Sequence, residues 1–375
     1  MKIGIVCYPT YGGSGVLATE LGLGLARKGH HVHFITYRQP ARLSHFQENI
    51  FYHEVSSADY PLFEYPPYDT ALTSKLVDVV KFENLDLLHV HYAIPHAVSA
   101  VLAREMLGRS SPAIVTTLHG TDITIVGAER AYFHPTRYGI ARSDRVTAVS
   151  EWLKRETELV FAPDRPIDVV PNFVDPDRFR PRASAGCRGV LAPAGERVLC
   201  HVSNFRPVKR VADVIRIFAG VLAVLPARLV LAGDGPDRAA AEELARELGV
   251  AGHVSFLGEQ SEVERVLAAS DLFLLPSEHE SFGLAALEAM ACGVPVLGTA
   301  SGGLPEVVDD GETGALVAVG DVEAAIARAV AILRDDCAPH AMGQRAREVA
   351  VARFGVEPVV SRYLDIYEAA IASTS

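Results

Sequence analysis

Short apolar segments alternate with longer segments of mixed polarity along most of the chain. Each apolar segment has the length of a buried strand, and each longer segment has room for a helix. The predicted strands are residues 2–7, 31–36, 86–92, 113–118, 142–150, 198–202, 228–232, 254–258 and 271–277, the last of which ends in a loop. Because such alternation is typical of parallel sheets covered by helices on both faces, the sequence predicts an α/β protein with doubly wound parallel sheets.

The length of 375 residues predicts two domains of ordinary size. Residues 169–176 contain two prolines and show no periodicity, which is typical of a linker. We therefore place the first domain at residues 1–170, with 142–150 as its last strand, and the second at 171–355. The segment 183–196 is rich in alanine, glycine and proline, and it predicts a loop without chemistry.

Composition and charge restrict the possible partners. The net charge of −11 argues against a nucleic-acid partner, and 49% hydrophobic residues suffice for substantial cores. The five cysteines are odd in number and lack Cys-x-x-Cys spacing, which favours free thiols in a reducing compartment. The first residues pass directly into a strand, and no apolar run of about 18 residues is present. We expect a cytoplasmic protein without stable membrane association.

The segment that begins at Glu280 is the most informative part of the chain. Glu280 lies in the loop after a buried strand, and an apolar helix is predicted from about Gly283 to Gly293. The free N–H groups and positive dipole end of that helix make Gly283 and Leu284 suitable for phosphate. Glu288 lies about a turn and a half into the helix. Two carboxylates beside a phosphate-binding helix start predict a nucleotide sugar, which has hydroxyl groups at both ends and phosphates between them.

A cluster of cations follows the first strand of the second domain. The turn after that strand, residues 203–210, contains Arg206, Lys209 and Arg210. Cations between a strand end and a helix start suit a diphosphate, and Lys209 would neutralise charge on the leaving group. The alternative is a solvated basic turn.

The first domain opens with a strand, a glycine loop and a helix. The loop, with Gly12 and Gly13, lies at the strand end where α/β folds bind ligands. A dinucleotide site would place an acidic residue after the second strand, but Arg38 stands near that position. This argues against NAD, whereas NADP stays formally possible.

Three histidines in the first domain raise the question of a metal. His89 and His91 share one face of a strand, and His96 follows in the loop. No carboxylate or cysteine joins them at ligand spacing, so a zinc site is not favoured.

The run from Glu280 to Glu288 resembles the E-x7-E motif of the retaining glycosyltransferases of family 4, which have the GT-B fold. This resemblance implies two Rossmann-like domains that face each other across a cleft, with residues 356–375 crossing back to the first domain. It implies that Glu280 contacts sugar hydroxyl groups and that Glu288 contacts the ribose. His119 would line the sugar side of the site, and the backbone near Gly258 would meet the uracil.

Many relatives have arginine at the position of Asn204, so the resemblance leaves open whether Arg206 or Arg210 replaces it. The donor-binding residues proposed on these grounds are Gly12, Gly13, Asn204, Arg210, Gly258, Ser281, Phe282, Gly283, Leu284 and Glu288.

The first half is similar to a narrower group in this family. Its members transfer N-acetylglucosamine from UDP-N-acetylglucosamine to the hydroxyl of L-malate, the first step of bacillithiol biosynthesis. The runs that carry this resemblance are residues 8–15, 64–69, 89–96 and 118–124. Malate has two carboxylates, so its pocket needs a cation and several hydrogen-bond donors. The acceptor candidates are Ser14, Tyr92, Thr121 and Arg137. The resemblance also suggests a homodimer.

Retention by two displacements would require a carboxylate nucleophile opposite the leaving group, and the sequence offers no clear candidate. We therefore expect front-face attack, in which the departing phosphate oxygen takes the acceptor's proton. Lys209, Arg206 and the helix start would stabilise the developing charge, while His119 and Glu280 would orient the sugar. No Asp-x-Asp-like pair stands at a strand end, so we expect no metal and no cofactor.

Three alternatives stay open. The first is transfer to another acceptor, such as an inositol phosphate or a lipid-linked sugar. A phosphorylated acceptor would call for a denser cluster of cations than Arg137 alone. The second is a sugar-nucleotide-binding protein without catalysis, and the third is an NADP-dependent oxidoreductase.

Overall fold

The computed structural model of the chain describes residues 1–10, 12–40, 42–43, 46–57, 61–181, 185–335 and 337–374. Tyr11, in the run 8–15, and residues 183–184 of the predicted loop lie outside them. Among the helices of the described residues, none is long and apolar enough to cross a lipid bilayer.

The chain divides into two compact units. Unit 1 comprises Met1–Asn172 together with Val356–Ser375, and unit 2 comprises Phe173–Gly355. The chain therefore leaves unit 1 once and returns to it for its last segment.

Each unit contains a parallel sheet. The strands are β1 (Lys2–Val6), β2 (His31–Thr36), β3 (Ile50–Glu54), β4 (Leu87–His91), β5 (Ala113–Leu118), β6 (Arg145–Ala148), β7 (Ile167–Val169), β8 (Arg197–Val202), β9 (Ala227–Ala232), β10 (Val254–Phe256), β11 (Leu272–Leu275), β12 (Val296–Thr299) and β13 (Gly314–Val317). In the described residues the order is β3-β2-β1-β4-β5-β6-β7 in unit 1 and β10-β9-β8-β11-β12-β13 in unit 2. Every residue of β4, β5 and β11 is buried, as expected for strands covered on both faces.

Helices connect the strands. They are α1 (Gly13–Arg27), α2 (Tyr68–Glu83), α3 (Val98–Leu107), α4 (Phe133–Arg142), α5 (Glu151–Phe161), α6 (Ala185–Leu191), α7 (Val211–Leu222), α8 (Arg238–Glu247), α9 (Val263–Leu267), α10 (Leu284–Ala291), α11 (Val322–Arg334), α12 (Ala338–Phe354) and α13 (Val356–Thr374). Helix α13 packs against α1, where a Cβ on Gly24 would lie 2.7 Å from Cγ2 of Val360. The last helix is thereby part of unit 1.

The strand order reverses at one point in each sheet. In unit 1 this point lies between β1 and β4, and in unit 2 between β8 and β11. In open α/β sheets, ligands bind beyond the carboxyl ends of the strands at such a point. The loops after these strands are therefore the first places to look for a site.

Two predictions about the elements were wrong. Residues 185–191 form α6 rather than a loop, and Arg188 in that helix pairs with Asp271 at 2.8 Å. The small residues suggested a loop, but alanine, leucine and arginine also favour helices. The strand predicted at 142–150 is not the last strand of its domain, because β7 follows it. The proline-rich segment directly after β7 made that short strand look like part of the linker.

Candidate active site

In unit 2, the segment after β11 holds Glu280 in a fixed loop. A Cβ on Gly302, whose φ is +64°, would lie 2.1 Å from the carbonyl oxygen of Glu280, so only glycine fits there. The next residue, Gly303, donates its N–H to the same carbonyl at 2.7 Å. Gly283, with φ of +99°, then caps α10, whose first residue is Leu284. The predicted strand–loop–helix arrangement is present.

The Glu280 carboxylate forms an ion pair with Lys209. The Nζ atom of Lys209 lies 2.7 Å from Oε1 of Glu280, and Ser277 donates its hydroxyl to the same oxygen at 2.8 Å. Glu280 is only 9% exposed, and a carboxylate so buried requires such partners. The sequence indicated Lys209 and Glu280 separately, and the structure brings them together. Ser277 was missed.

The two arginines of the basic turn differ in their partners. Arg210 has φ of +51° and pairs through Nη2 with Asp213 at 2.6 Å, a carboxylate that Arg216 also contacts at 2.8 Å. Arg206 is exposed, and its carbonyl accepts the N–H of Lys209 at 2.8 Å. Its guanidinium makes no hydrogen bond or ion pair with another described residue. Asn204 is exposed beside it. Arg206 therefore has a guanidinium available for a ligand, whereas that of Arg210 is already engaged.

The loops after β8, β9 and β10 are packed backbone to backbone. A Cβ on Gly233 would lie 1.8 Å from the carbonyl oxygen of Ser203, and one on Gly235 would lie 2.0 Å from that of Asn204. Gly233 donates its N–H to the carbonyl of Gly258 at 2.8 Å. These contacts hold the Gly258 backbone, the predicted uracil contact, in one position beside the basic turn.

The remaining predicted residues of unit 2 lie along the start of α10. Phe282 is 3% exposed, and its ring centroid lies 5.5 Å from that of Phe354, so its side chain is not available to a ligand. Ser281, Leu284 and Glu288 are each partly exposed.

In unit 1, the glycine loop after β1 forms the first turn of α1. Gly12 is the N-cap, and Gly13 and Ser14 are the first helical residues. A Cβ on Gly15, the third glycine of this loop, would lie 2.3 Å from the carbonyl oxygen of Tyr8, so a residue with a side chain would not fit there. Gly12 and Gly13 are exposed, so the N–H groups of this helix start are open to an anion.

Tyr92 joins this helix start to the end of β4. Its hydroxyl lies 2.8 Å from Oγ of Ser14, and its ring centroid lies 5.0 Å from that of His119. Its φ of +82° is unusual for a residue other than glycine, and such strain concentrates at functional sites. Of the other acceptor candidates, Thr121 is partly exposed at the start of the helical turn Thr121–Ile125. Arg137 is exposed on α4.

Asp122, which the sequence analysis missed, fastens two of these loops together. Its Oδ1 accepts the N–H groups of His119 and Gly120 at 3.1 and 2.9 Å, and its Oδ2 accepts that of Ala93 at 2.9 Å. Burial raises the pKa of Asp122 to about 6, although the backbone hydrogen bonds oppose this shift. The sequence held a signal for this role, since an aspartate three residues after His119 can accept the N–H groups of the loop that follows β5.

Three histidines lie behind Tyr92, of which His89 and His91 are buried and His119 is partly exposed. His91 Nδ1 and His119 Nε2 are 2.9 Å apart, and the rings of His89 and His91 have centroids 4.4 Å apart. The hydroxyl of Tyr367, on α13, lies 2.7 Å from Nδ1 of His89, and Thr117 lies at the same distance from its Nε2. Burial lowers the pKa of His89 and of His119 to about 3, so both rings are neutral near pH 7.

Among the described residues, His33, His53 and Glu83 form a group that could hold a metal, with ligand atoms within 4.8 Å of one another. Nδ1 of His33 lies 3.0 Å from Nε2 of His53. If both atoms bound a metal, the proton of His33 would move to its buried Nε2, which has no partner among the described residues. The group also begins three residues before the end of β2, away from the ligand-binding edge. It fits a metal poorly.

Comparison with known proteins agrees with this architecture. The model of Glycosyltransferase Family 4 matches residues 11–178, and that of Glycosyl transferases group 1 matches residues 188–349. The chain is 48% identical over 368 residues to N-acetyl-alpha-D-glucosaminyl L-malate synthase of Bacillus anthracis, covering 98% of this chain and 96% of that protein. It is 39% identical to D-inositol 3-phosphate glycosyltransferase of Mycobacterium marinum, over only 55% of this chain and 45% of that protein.

Solved structures show the same fold at low sequence identity. Sucrose-phosphate synthase from Thermosynechococcus elongatus matches with a TM-score of 0.82 at 23% identity, over 100% of both chains. Anabaena HepE in complex with UDP and glucose matches with a TM-score of 0.81 at 21% identity, over 98% of this chain and 99% of that one. The chain is therefore an enzyme of glycosyltransferase family 4, with the GT-B fold.

Proposed function

We propose that the enzyme transfers N-acetylglucosamine from UDP-N-acetylglucosamine to the hydroxyl group of L-malate, with retention of the α configuration. The observation that carries this proposal is the 48% identity, over 98% of the chain, to a relative named for that product. The inositol phosphate transferases match only about half of the chain, so they support the transfer reaction but not their own acceptor.

Unit 2 would bind the donor. The diphosphate would lie at the start of α10, where Gly283 and Leu284 offer free N–H groups. Arg206 would take the place of the arginine that many relatives have at position 204, because the guanidinium of Arg210 is paired with Asp213. Lys209 would be positioned by Glu280 to stabilise negative charge on the leaving phosphate.

Unit 1 would bind the acceptor. The helix start at Ser14, the Tyr92 hydroxyl and Thr121 supply neutral donors, and Arg137 supplies the cation that a dicarboxylate requires. His119 would donate a hydrogen bond to the transferred sugar, since its ring is partly exposed at the end of β5.

The reaction would proceed by front-face attack. The malate hydroxyl oxygen forms a bond to the anomeric carbon while the bond from that carbon to the β-phosphate oxygen breaks. The hydroxyl proton moves to the departing phosphate oxygen, so that UDP leaves and the atoms balance. No side chain changes its charge in this scheme, and we propose that it requires no metal.

Mass spectrometry of the purified protein tests the proposal directly. The protein is incubated with UDP-N-acetylglucosamine and L-malate in EDTA, and in parallel reactions with succinate, which lacks the hydroxyl, and with inositol phosphate. We expect a malate-linked N-acetylglucosamine and free UDP only with malate. UDP release without that product would refute the acceptor, and a requirement for added divalent metal would refute the metal-free scheme.

Two further parts of the proposal have separate grounds. We propose a homodimer on the family relationship, which sedimentation velocity would test. We propose a cytoplasmic location on the spacing of the cysteines, which fractionation of the source cells would test.

A further inference from the structure

His91 and His119 share a single hydrogen-bonding proton. His91 is the last residue of β4, and His119 follows the last residue of the neighbouring strand β5. Nδ1 of His91 lies 2.9 Å from Nε2 of His119, and the two rings are stacked with an angle of 25°. Both rings are neutral near pH 7, because burial lowers the pKa of each. One nitrogen of the pair therefore donates and the other accepts.

The surroundings of His91 decide which nitrogen donates. Its other nitrogen, Nε2, is buried and has no hydrogen-bond partner among the described residues. A proton there would be a buried N–H without an acceptor, and such groups are rarer in proteins than acceptors lacking a donor. The proton of His91 therefore belongs on Nδ1, from which it is donated to His119. His119 must then carry its own proton on Nδ1.

We infer that His91 is a positioning residue, which holds His119 in the tautomer that presents a neutral Nδ1–H donor to the substrate. This inference rests on the proposed function, in which His119 contacts the transferred sugar. Asp122 complements His91, because its carboxylate holds the backbone N–H of His119 at 3.1 Å. The backbone and the ring of His119 are thus fixed by two different residues.

The benefit to the reaction is a donor whose direction and charge are set before the substrate binds. A ring free to exchange tautomers would present a lone pair part of the time, and a lone pair repels a sugar oxygen. A charged ring would be disfavoured, because burial removes the water that would solvate its charge. Fixing the neutral tautomer avoids both costs, which is the purpose of a preorganised site.

The tautomer can be measured on the wild-type protein, with variants used only to assign its resonances. A long-range proton–nitrogen NMR spectrum of protein labelled with ¹⁵N-histidine separates protonated from bare ring nitrogens. His91→Asn and His119→Asn samples assign the two rings among the 14 histidines. We expect both rings to be protonated on Nδ1 and bare on Nε2. A protonated Nε2 on His119 would overturn the inference, whatever the enzyme proves to catalyse.

Kinetics of three substitutions at position 91 test the consequence. Asparagine places an amide N–H near the position of Nδ1, glutamine places its amide near Nε2, and leucine has no donor. We expect His91→Asn to retain the turnover number within about threefold, and His91→Gln and His91→Leu to lose about 10- to 100-fold. The KM for malate should change less than threefold in all three.

The outcomes separate the two hypotheses. If the wild-type enzyme forms no malate-linked product, the proposed function fails, while the NMR result still decides the tautomer. If the wild-type enzyme is active and the leucine variant equals it, His91 does not position His119. Equal losses in all three variants would also contradict the inference, because a purely structural role would not distinguish asparagine from glutamine.

Discussion

The two units carry opposite kinds of polar site at the same edge of similar sheets. In unit 2 the groups are charged: Lys209 pairs with Glu280, and Arg206 is exposed beside them. In unit 1 the rings of His91, which is buried, and of His119, which is partly exposed, are neutral and linked by a hydrogen bond. A phosphate leaving group needs charge stabilisation, whereas hydroxyl groups need direction. Under the proposed function, the contrast would divide these two tasks between the units.

One buried carboxylate in each unit shows the same contrast. Glu280 is satisfied by a lysine and a serine hydroxyl. Asp122 is satisfied by three backbone N–H groups from two loops. The first arrangement places a cation where a ligand can reach it, because the Lys209 side chain is 22% exposed. The arrangement around Asp122 places no cation there, and it holds two loops in fixed positions.

The largest effect is expected from acid, which should destabilise unit 1 much more than unit 2. Burial lowers the pKa of seven histidines in unit 1 and of one in unit 2. The shift is large for five of those in unit 1 and for the one in unit 2, and these are His33, His89, His91, His96, His119 and His201. Stability that depends on neutral histidines is present above the unfolded pKa of 6.5 and is lost as the pH falls towards the folded values of about 3 to 4.

When the pH falls from 7 to 5.5, each strongly shifted histidine lowers the free energy of unfolding by about 1 kcal/mol. Asp122 opposes the trend in unit 1, since its pKa of about 6 lets the folded state take up a proton first. We expect the free energy of unfolding to fall by roughly 4 kcal/mol in unit 1 and by about 1 kcal/mol in unit 2. Pulse proteolysis in urea at the two pH values, with fragments assigned to each unit, measures the difference. Equal losses of unfolding free energy in both units would contradict the contrast between the neutral histidines of unit 1 and the charged groups of unit 2.

Substitution of Lys209 by methionine should reduce the turnover number by about 10²- to 10³-fold, since it removes the charge that stabilises the leaving phosphate. Steady-state release of UDP measures this effect. Lys81→Met, at an exposed position on α2, is the control and should match the wild type.

A second variant separates catalysis from folding. Lys209→Met leaves the buried Glu280 without its cation, which destabilises unit 2. Lys209→Met combined with Glu280→Gln removes the unpaired charge, so we expect the melting temperature to recover while turnover stays low. Recovery of turnover in the double variant would show that Lys209 acts only through stability.

The two arginines of the basic turn should differ in effect. Arg206→Ala should reduce kcat/KM for the donor by roughly 10- to 100-fold, the value of one or two charge-assisted hydrogen bonds. Arg210→Ala should change it less than threefold, because that guanidinium is engaged by Asp213. Initial rates at varied donor concentration measure both. The reverse order would place the diphosphate beside Arg210.

The local features of this fold could be predicted from the sequence, whereas the long-range pairings could not. Strand β2 and the capped helix after Glu280 follow from apolar runs and single glycines, which are local signals. The Lys209–Glu280 pair joins residues 71 positions apart, and the His91–His119 pair joins residues 28 apart. Both depend on which strands are neighbours and in which register, information that periodicity does not contain.

Among the substitutions that we expect to impair turnover, Ser277→Ala should give the smallest loss, and it sharpens the comparison most. Its hydroxyl donates to the same oxygen of Glu280 that Lys209 contacts, at 2.8 Å, so its loss leaves the charge of the site unchanged. A hydrogen bond to a charged group is worth about 1.5–3 kcal/mol, but Lys209 still neutralises Glu280, so only part of this loss reaches the transition state and we expect about a fivefold loss of turnover. This is less than the loss expected for His91→Leu, although both substitutions remove a single hydrogen bond. If steady-state rates show that Ser277→Ala costs as much as Lys209→Met, orientation governs unit 2 as well, and the division of tasks between the units fails.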